Sequence, residues 1–249
     1  EMLSELSKMD GAIVVDDKVT TILRANVHLN PSDSIKTTQT GTRHRTAERT
    51  SAMTGLTVIA VSEETSLIKV FENFKTKELE ESSAILGKVN ESLQSVDRMR
   101  RRFDDAVTTL GELEIENTLT NQEVLEVIQR GELLTRLANQ VKSEASKLGK
   151  DAGLIMIQID SLESGVLNTL NLVLKDHLPT RKFRTTVKAN NEISKLSYDE
   201  LNVIEHLGNV LSKLPLDDIS VSRGYRVLAR LPNLPENLHD QIIQKFKTL

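Results

Sequence analysis

Residues 84–110 read AILGKVNESLQSVDRMRRRFDDAVTTL. Leu86, Val89, Leu93, Val96, Phe103, Val107 and Leu110 keep a three-then-four spacing, with Met99 one place off the seam. Side chains so spaced fall on one stripe of an α-helix. The pattern predicts a helix of about 35 residues, roughly 50 Å at the α-helical rise. A stripe of that length needs a partner, and the sequence supplies two. Thr120 with Glu123 three places on is a capping-box signature, opening a helix that carries Val124, Leu125, Ile128, Leu134, Leu137, Val141 and Leu148. A third runs from Ala152 to Leu178 and stops at Pro179. Together they predict an elongated all-α bundle over 75–179.

Before the period changes near Lys75, the chain reads as α/β. Gly11 to Val15 is a short apolar run closed by Asp16 and Asp17, as a buried strand and turn would be, and Val19 to Val27 pairs with it across that turn. Arg45 to Thr54 is helical and ends at Gly55. Leu56 to Val61 and Leu67 to Phe71 are two more strands, split by the polar residues 62–66. Domain one is therefore set at 1–74. After Pro179, residues 180–196 read as a polar loop. A helix opens at Ser197 with Glu200 three places on, and residues 223–249 read as helix, Pro-bounded turn, helix. This third region, 180–249, has the outline of a helix-hairpin-helix.

Composition removes several classes of function. The chain has 249 residues, no cysteine, 32 Lys+Arg against 36 Asp+Glu and a formal charge of -4. Disulfides, thiol nucleophiles and Cys-ligated zinc are excluded, and a reducing compartment suits the rest. Apolar runs reach only about four residues, against the roughly 18 that a membrane span needs. No P-loop and no GxGxxG is present, and the five histidines lack metal-ligand spacing.

Chemistry concentrates in three places. Gly41-Thr42-Arg43-His44-Arg45-Thr46 sets a glycine, two hydroxyls and two guanidinium groups at a helix start, where open amides and the helix dipole favour an anion such as phosphate. A basic surface helix start is the plain alternative. Asp10-Gly11-Ala12 puts a carboxylate at the edge of a strand, where a Mg²⁺ shared with phosphates would fit, although an ordinary turn has the same sequence. Basic clusters lie at Arg98, Arg100, Arg101 and Arg102, and at Arg181, Lys182, Arg184 and Lys188. They read either as solvated faces or, near Arg223, Arg226 and Arg230, as contacts to a nucleic-acid backbone.

Taken together, Lys8-Met9-Asp10-Gly11-Ala12, Ala25-Asn26-Val27-His28-Leu29, the run Gly41 to Arg49 and Ile59-Ala60-Val61-Ser62-Glu63 resemble the cyclase domain of the bacterial DNA integrity scanning family of diadenylate cyclases. The helical region and Arg223 to Leu228 are also similar to that family, so the likeness covers nearly the whole chain. It implies condensation of two ATP into cyclic di-AMP with release of two pyrophosphates, by a cytoplasmic, nucleoid-associated octamer with no membrane partner. By position, Asp10 would bind Mg²⁺ or Mn²⁺ and help activate the ribose hydroxyl. Gly11, Ala12 and Leu29 would meet the nucleotide. Gly41, Thr42, Arg43, His44 and Arg45 would hold the triphosphate, with Thr46 and Ser62 nearby, and Asp10, Arg43, His44 and Arg45 would be catalytic. Arg223, Arg226 and Arg230 would touch branched or damaged DNA. The likeness also implies truncation at both ends: before the DGA motif, and after a hairpin (Leu231 to Pro235) that lacks the family's glycine turn. An inactive truncated homologue that binds DNA as a helical oligomer is the alternative reading.

Overall fold

A computed structural model describes residues 2–62, 67–178, 186–211 and 214–246, and the chain divides into two compact units between Ala84 and Ile85. The first unit is α/β, as expected. A short helix α1 (Met2–Leu6) precedes β1 (Ala12–Val15) and β2 (Ile22–Val27), which form an antiparallel hairpin. Asp16 closes its turn by accepting from the amides of Thr20 and Thr21 at 2.7 and 3.0 Å and from the Thr20 hydroxyl at 2.8 Å. These bonds hold its carboxyl below the ordinary range. Val19 lies inside that turn at φ 55°, so the second strand starts later than its β-branched residues suggested.

Helix α2 (Thr42–Thr54) begins three residues before its expected start and ends at Gly55 in the left-handed region, φ 72°. It packs on an antiparallel sheet of β3 (Val58–Val61), β4 (Ile68–Glu72) and β5 (Lys75–Leu79). The polar break between β3 and β4 lies outside the described residues at 63–66. Strand β5 was not foreseen. Its sequence KTKEL is exposed throughout, so it shows no apolar alternation, and its place is fixed by a tight turn. Asn73 and Phe74 both adopt positive φ, 43° and 65°, as a two-residue hairpin turn needs. The buried core of this unit is small: Ala47, Ala60 and Phe71.

The second unit is helical. Helix α3 (Ser82–Glu116) has the predicted length, but the face is rotated at its start: Ile85 is buried and Leu86 is 42% exposed. A turn through Asn117, φ 57°, leads to α4 (Asn121–Ser146), where the Thr120–Glu123 capping box is formed. The third predicted helix is broken. A 3₁₀ turn (Gly149–Ala152) leads to α5 (Gly153–Glu163), and Ser164 and Gly165 separate it from α6 (Val166–His177). Gly165 has φ 76°, a left-handed conformation that ends one helix and starts another, which an apolar stripe running through both conceals. Pro179 and 180–185 lie outside the described residues, but Thr186–Ser194 of the expected loop is a helix, α7. Then come α8 (Tyr198–Asn202), α9 (Ile204–Val210), α10 (Tyr225–Leu228) and α11 (Glu236–Phe246). The Ser197–Glu200 box caps α8 as predicted.

Helices α4 and α6 meet at Gly131, where an added Cβ would stand 2.6 Å from Leu170 Cδ2. Leu170 is itself buried. Gly131→Leu is therefore expected to overpack the contact and destabilise the helical unit by about 1–3 kcal/mol. Denaturant unfolding followed by far-UV circular dichroism measures this, and an unchanged midpoint would contradict the packing.

Candidate nucleotide site and the buried charge joint

The two most informative motifs are built differently. Gly11 sits hard against the second strand: a Cβ there would lie 2.4 Å from the Asn26 carbonyl carbon and 2.6 Å from its Cα. Only glycine permits that approach. Asn26 is itself at φ 56°, where the β1–β2 register shifts between the Ala12–Val27 and Val14–Arg24 pairs. The DGA and ANVHL motifs are thus two sides of one backbone contact, which fixes where Asp10 stands. Asp10 is exposed, and Ala12 and Leu29 are half-buried.

The second motif is the first turn of α2. Gly41, at φ 81° and ψ 143°, precedes it and has no side chain to cap it. The amides of Thr42, Arg43 and His44 have no intrahelical acceptor; the first such bond runs from the Arg45 amide to the Gly41 carbonyl at 3.1 Å. Thr42, Arg43 and Arg45 are exposed around that end, and Thr46 is half-buried. Arg43 donates to the Val61 carbonyl at 3.3 Å, which brings the helix start to the end of β3 beside Ser62. The His44 ring stands edge-on to Phe71 at 6.5 Å, and its Nε2 is sealed from solvent with no hydrogen-bond partner among the described residues. An open helix N-terminus, two exposed guanidinium groups and an orphaned ring nitrogen suit a multiply charged anion. Glu63 lies outside the described residues.

The expected DNA residues have other work in this structure. Arg223 donates to the carbonyls of Lys175 and Leu178 at 2.6 and 2.7 Å, closing the C-terminus of α6. Asp176 accepts from the amides of Tyr225 and Arg226 at 2.5 and 3.0 Å, so a carboxylate from α6 caps the start of α10. The Arg226 guanidinium is buried and bonds Glu114 of α3 at 3.2 Å. The same carboxylate oxygen meets His177 Nε2 at 3.1 Å, while His177 Nδ1 faces the Ser220 hydroxyl at 3.0 Å. Arg226 thus lies inside the fold, not on a phosphate-facing surface. Arg230 is exposed. Of the other basic cluster, Arg181, Lys182 and Arg184 lie outside the described residues, and Lys188 is exposed on α7.

Glu114, Asp176 and His177 bring potential ligand atoms within 4.8 Å of one another. Those atoms already hold Arg226, two backbone amides and Ser220, so the group is a satisfied ion-pair joint and not a metal cradle. Sequence reading missed it because Glu114, the Asp176–His177 pair and Arg226 sit on α3, α6 and α10, and Arg226 is 50 residues from Asp176 and 112 from Glu114. Burial pushes the Glu114 carboxyl up, but the His177 hydrogen bond and the Arg226 charge outweigh it and hold the group below its ordinary 4.5. Burial raises Asp176 above 3.8 despite its two amide donors. The Tyr225 phenol is pushed up to about 12 by burial and by its bond to Asp240 at 2.8 Å.

Removing Arg226 strands a buried carboxylate, so Arg226→Ala is expected to cost about 3–5 kcal/mol in chemical unfolding. A loss under 1 kcal/mol would contradict the joint. The pH dependence follows from the depressed Glu114 carboxyl. Its stabilisation is full above the unfolded value near 4.5 and is lost as pH falls through the lower folded value. Asp176, raised chiefly by burial and only last by the Glu114 charge, opposes this, and slightly less so in the variant. Stability measured from pH 6 to pH 3 should therefore fall less steeply in Glu114→Gln than in the parent.

Comparison with known proteins places the chain in a family. The model of the DisA bacterial checkpoint controller nucleotide-binding region (DAC) matches residues 1–76, and that of the DisA bacterial checkpoint controller linker region matches 79–214. Among similar proteins, the DNA integrity scanning protein DisA of Acidothermus cellulolyticus is 37% identical over 254 residues, covering 100% of this chain and 69% of the relative. That of Streptomyces griseus is 39% identical over 251 residues, covering 98% and 67%. That of Clostridium tetani is 36% identical over 248 residues, covering 98% and 68%. The chain spans about two thirds of the length of these relatives. It therefore belongs to the DNA integrity scanning (DisA) family, with that family's diadenylate cyclase nucleotide-binding region followed by its linker region.

Proposed function

We propose that the N-terminal unit binds ATP at the first turn of α2 and condenses two ATP molecules into cyclic di-AMP and two pyrophosphates. The observation that carries this is the open helix start after Gly41, with Thr42, Arg43 and Arg45 exposed around unpaired amides. In each half-reaction the ribose 3′-hydroxyl of one nucleotide attacks the α-phosphate of the other, and pyrophosphate leaves with the β- and γ-phosphates. Charge builds on the phosphate oxygens, so oriented amides and guanidinium groups are the main protein contribution. Arg43 is held to Val61 and so reaches the phosphates from a fixed base. His44 Nε2, unbonded among the described residues, faces the same need for a partner.

Asp10 suits a divalent ion, Mg²⁺ or Mn²⁺. Its carboxylate is exposed, at a strand end set by the Gly11–Asn26 contact, and one protein carboxylate plus substrate phosphates is a common way to hold Mg²⁺. When bound, the metal supplies charge neutralisation at the phosphates. The product contains two equivalent phosphodiester links, and a site holding one ATP supplies half of them. Two copies meeting about a two-fold axis complete the geometry. An octamer built on the helical segments is the form that the family likeness suggests.

The C-terminal helices give the DNA-facing part of the proposal. With Arg223 and Arg226 engaged in holding α10, the exposed Arg230 and Lys188 are the groups assigned to phosphate contact. Binding carried by such contacts must weaken steeply with salt.

Mass spectrometry after incubation with ATP and Mg²⁺ or Mn²⁺ tests the chemistry. The parent should form cyclic di-AMP, and Asp10→Asn and Arg43→Ala should each lower the rate on the order of a hundredfold. Undiminished product from Asp10→Asn would overturn the assignment. Gel shifts of branched DNA at rising salt test the second part, and Arg230→Ala should weaken them. No shift at low salt would remove DNA contact from the reading.

A further inference from the structure

Helix α2 carries a buried carboxylate that phosphate binding does not use. Glu48 lies two turns into the helix and is 7% exposed. Its Oε2 accepts from the Thr37 hydroxyl and from the Thr38 amide at 3.3 Å. Arg49 beside it donates from Nε to the Ile35 carbonyl at 2.9 Å and from Nη1 to the Asp33 carboxylate at 2.5 Å. Thr37 Oγ1 also accepts from the Gln39 amide at 3.1 Å, and the Gln39 side chain takes a bond from Lys69 of β4 at 3.3 Å. The segment that leads into Gly41 is thus stitched down at 33, 35, 37–38 and 39. Residues 42 to 44, just beyond, are the ones whose amides stay open.

We propose that Glu48 is a positioning residue for the nucleotide site: by gripping Thr37 and Thr38 it holds the 33–40 segment in the course that sets Gly41 and the first turn of α2 for phosphate. This rests on the ATP reading given above and adds a residue to it. Burying a carboxylate is costly unless its oxygens are satisfied. A helix packed on a sheet would gain more from an apolar residue there if packing were the whole requirement. Thr37 and Thr38, the two groups that Glu48 holds, lie on the leading segment, within four residues of Gly41. Without the grip, ordering that segment would be charged to the binding of each nucleotide.

The test joins two readouts on the full chain. Amide hydrogen exchange follows residues 33–41 and, separately, the body of α2 at 46–54; calorimetry measures ATP binding with Mg²⁺. Glu48→Ala and Thr37→Val should speed exchange in 33–41 and weaken ATP binding about tenfold, which corresponds to 1.4 kcal/mol. Glu48→Gln and Thr37→Ser keep a hydrogen-bonding partner at the same place and should retain the parent's affinity. If Glu48→Ala also unfreezes 46–54, Thr37→Val decides, because it removes the same bond from the segment and leaves the helix intact. Faster exchange with unchanged ATP affinity, or unchanged exchange in 33–41, overturns the positioning role. Failure of the ATP reading is seen separately and earlier, as absence of binding in the unsubstituted chain.

Discussion

A helix that ends inside a folded unit leaves carbonyl groups with no partner, and the helical half of this protein is organised by how that need is met. Arg100 of α3 donates to the carbonyls of Leu162 and Ser164 at the end of α5. Arg136 of α4 reaches Ile193, Ser194 and Leu196 at the end of α7 while lying 5.5 Å from the Tyr198 ring. Arg223 does the same for α6, and the Gln129 side chain donates to Leu201 at the end of α8. Each of these groups lies 45 to 72 residues away in sequence from the carbonyl it meets. A planar fork of donors suits paired carbonyls, and its positive charge suits the negative end of the helix dipole. Apolar stripes bring the helices together; these bonds decide where each must stop.

The same fact explains what could and could not be read from the sequence. The length of α3, the Thr120 and Ser197 capping boxes, the Gly55 cap, the β1–β2 hairpin and the strands β3 and β4 all rest on patterns local in the sequence, and they were legible. An arginine such as Arg223 looks the same whether it meets a phosphate or a carbonyl of a helix far away in the chain. Its partner is set by tertiary packing, so its reading as a DNA contact had no local test. Gly165 was hidden for a related reason, since the apolar pattern continues on both sides of the break it makes. Strand β5 was hidden because edge strands are charged on purpose, which guards them against pairing with other chains.

The backbone geometry of the proposed nucleotide site was legible to a greater degree, because its glycines carry geometric demands. Gly11 is excluded from bearing a Cβ by the Asn26 backbone, and Gly41 by its own φ of 81°, with open space around it. Two different constraints thus protect two motifs about 30 residues apart. What sequence spacing could not separate was the division of labour within the run Gly41 to Ser51. Thr42, Arg43 and Arg45 face outward, whereas Glu48, Arg49 and Ser51 face the fold.

That division matters because the N-terminal unit has so little core. With Ala47, Ala60 and Phe71 as its buried apolar residues among those described, it does not hold α2 by hydrophobic burial alone. Ser51, fully buried, bonds the carbonyls of Leu56 and Phe71 at 2.8 and 3.0 Å and ties the helix to the sheet. Glu48 and Arg49 tie it to the segment before it. Polar staples are directional where apolar contacts are not, so they fix the rotation of α2 about its own axis as well as its depth. A helix whose first turn must present amides and two guanidinium groups at set angles gains more from directional bonds than from a larger core. The small core and the open helix end are in this sense one solution: the side of α2 that would have been greasy is polar, and in the proposed reading it aims the side that meets the ligand.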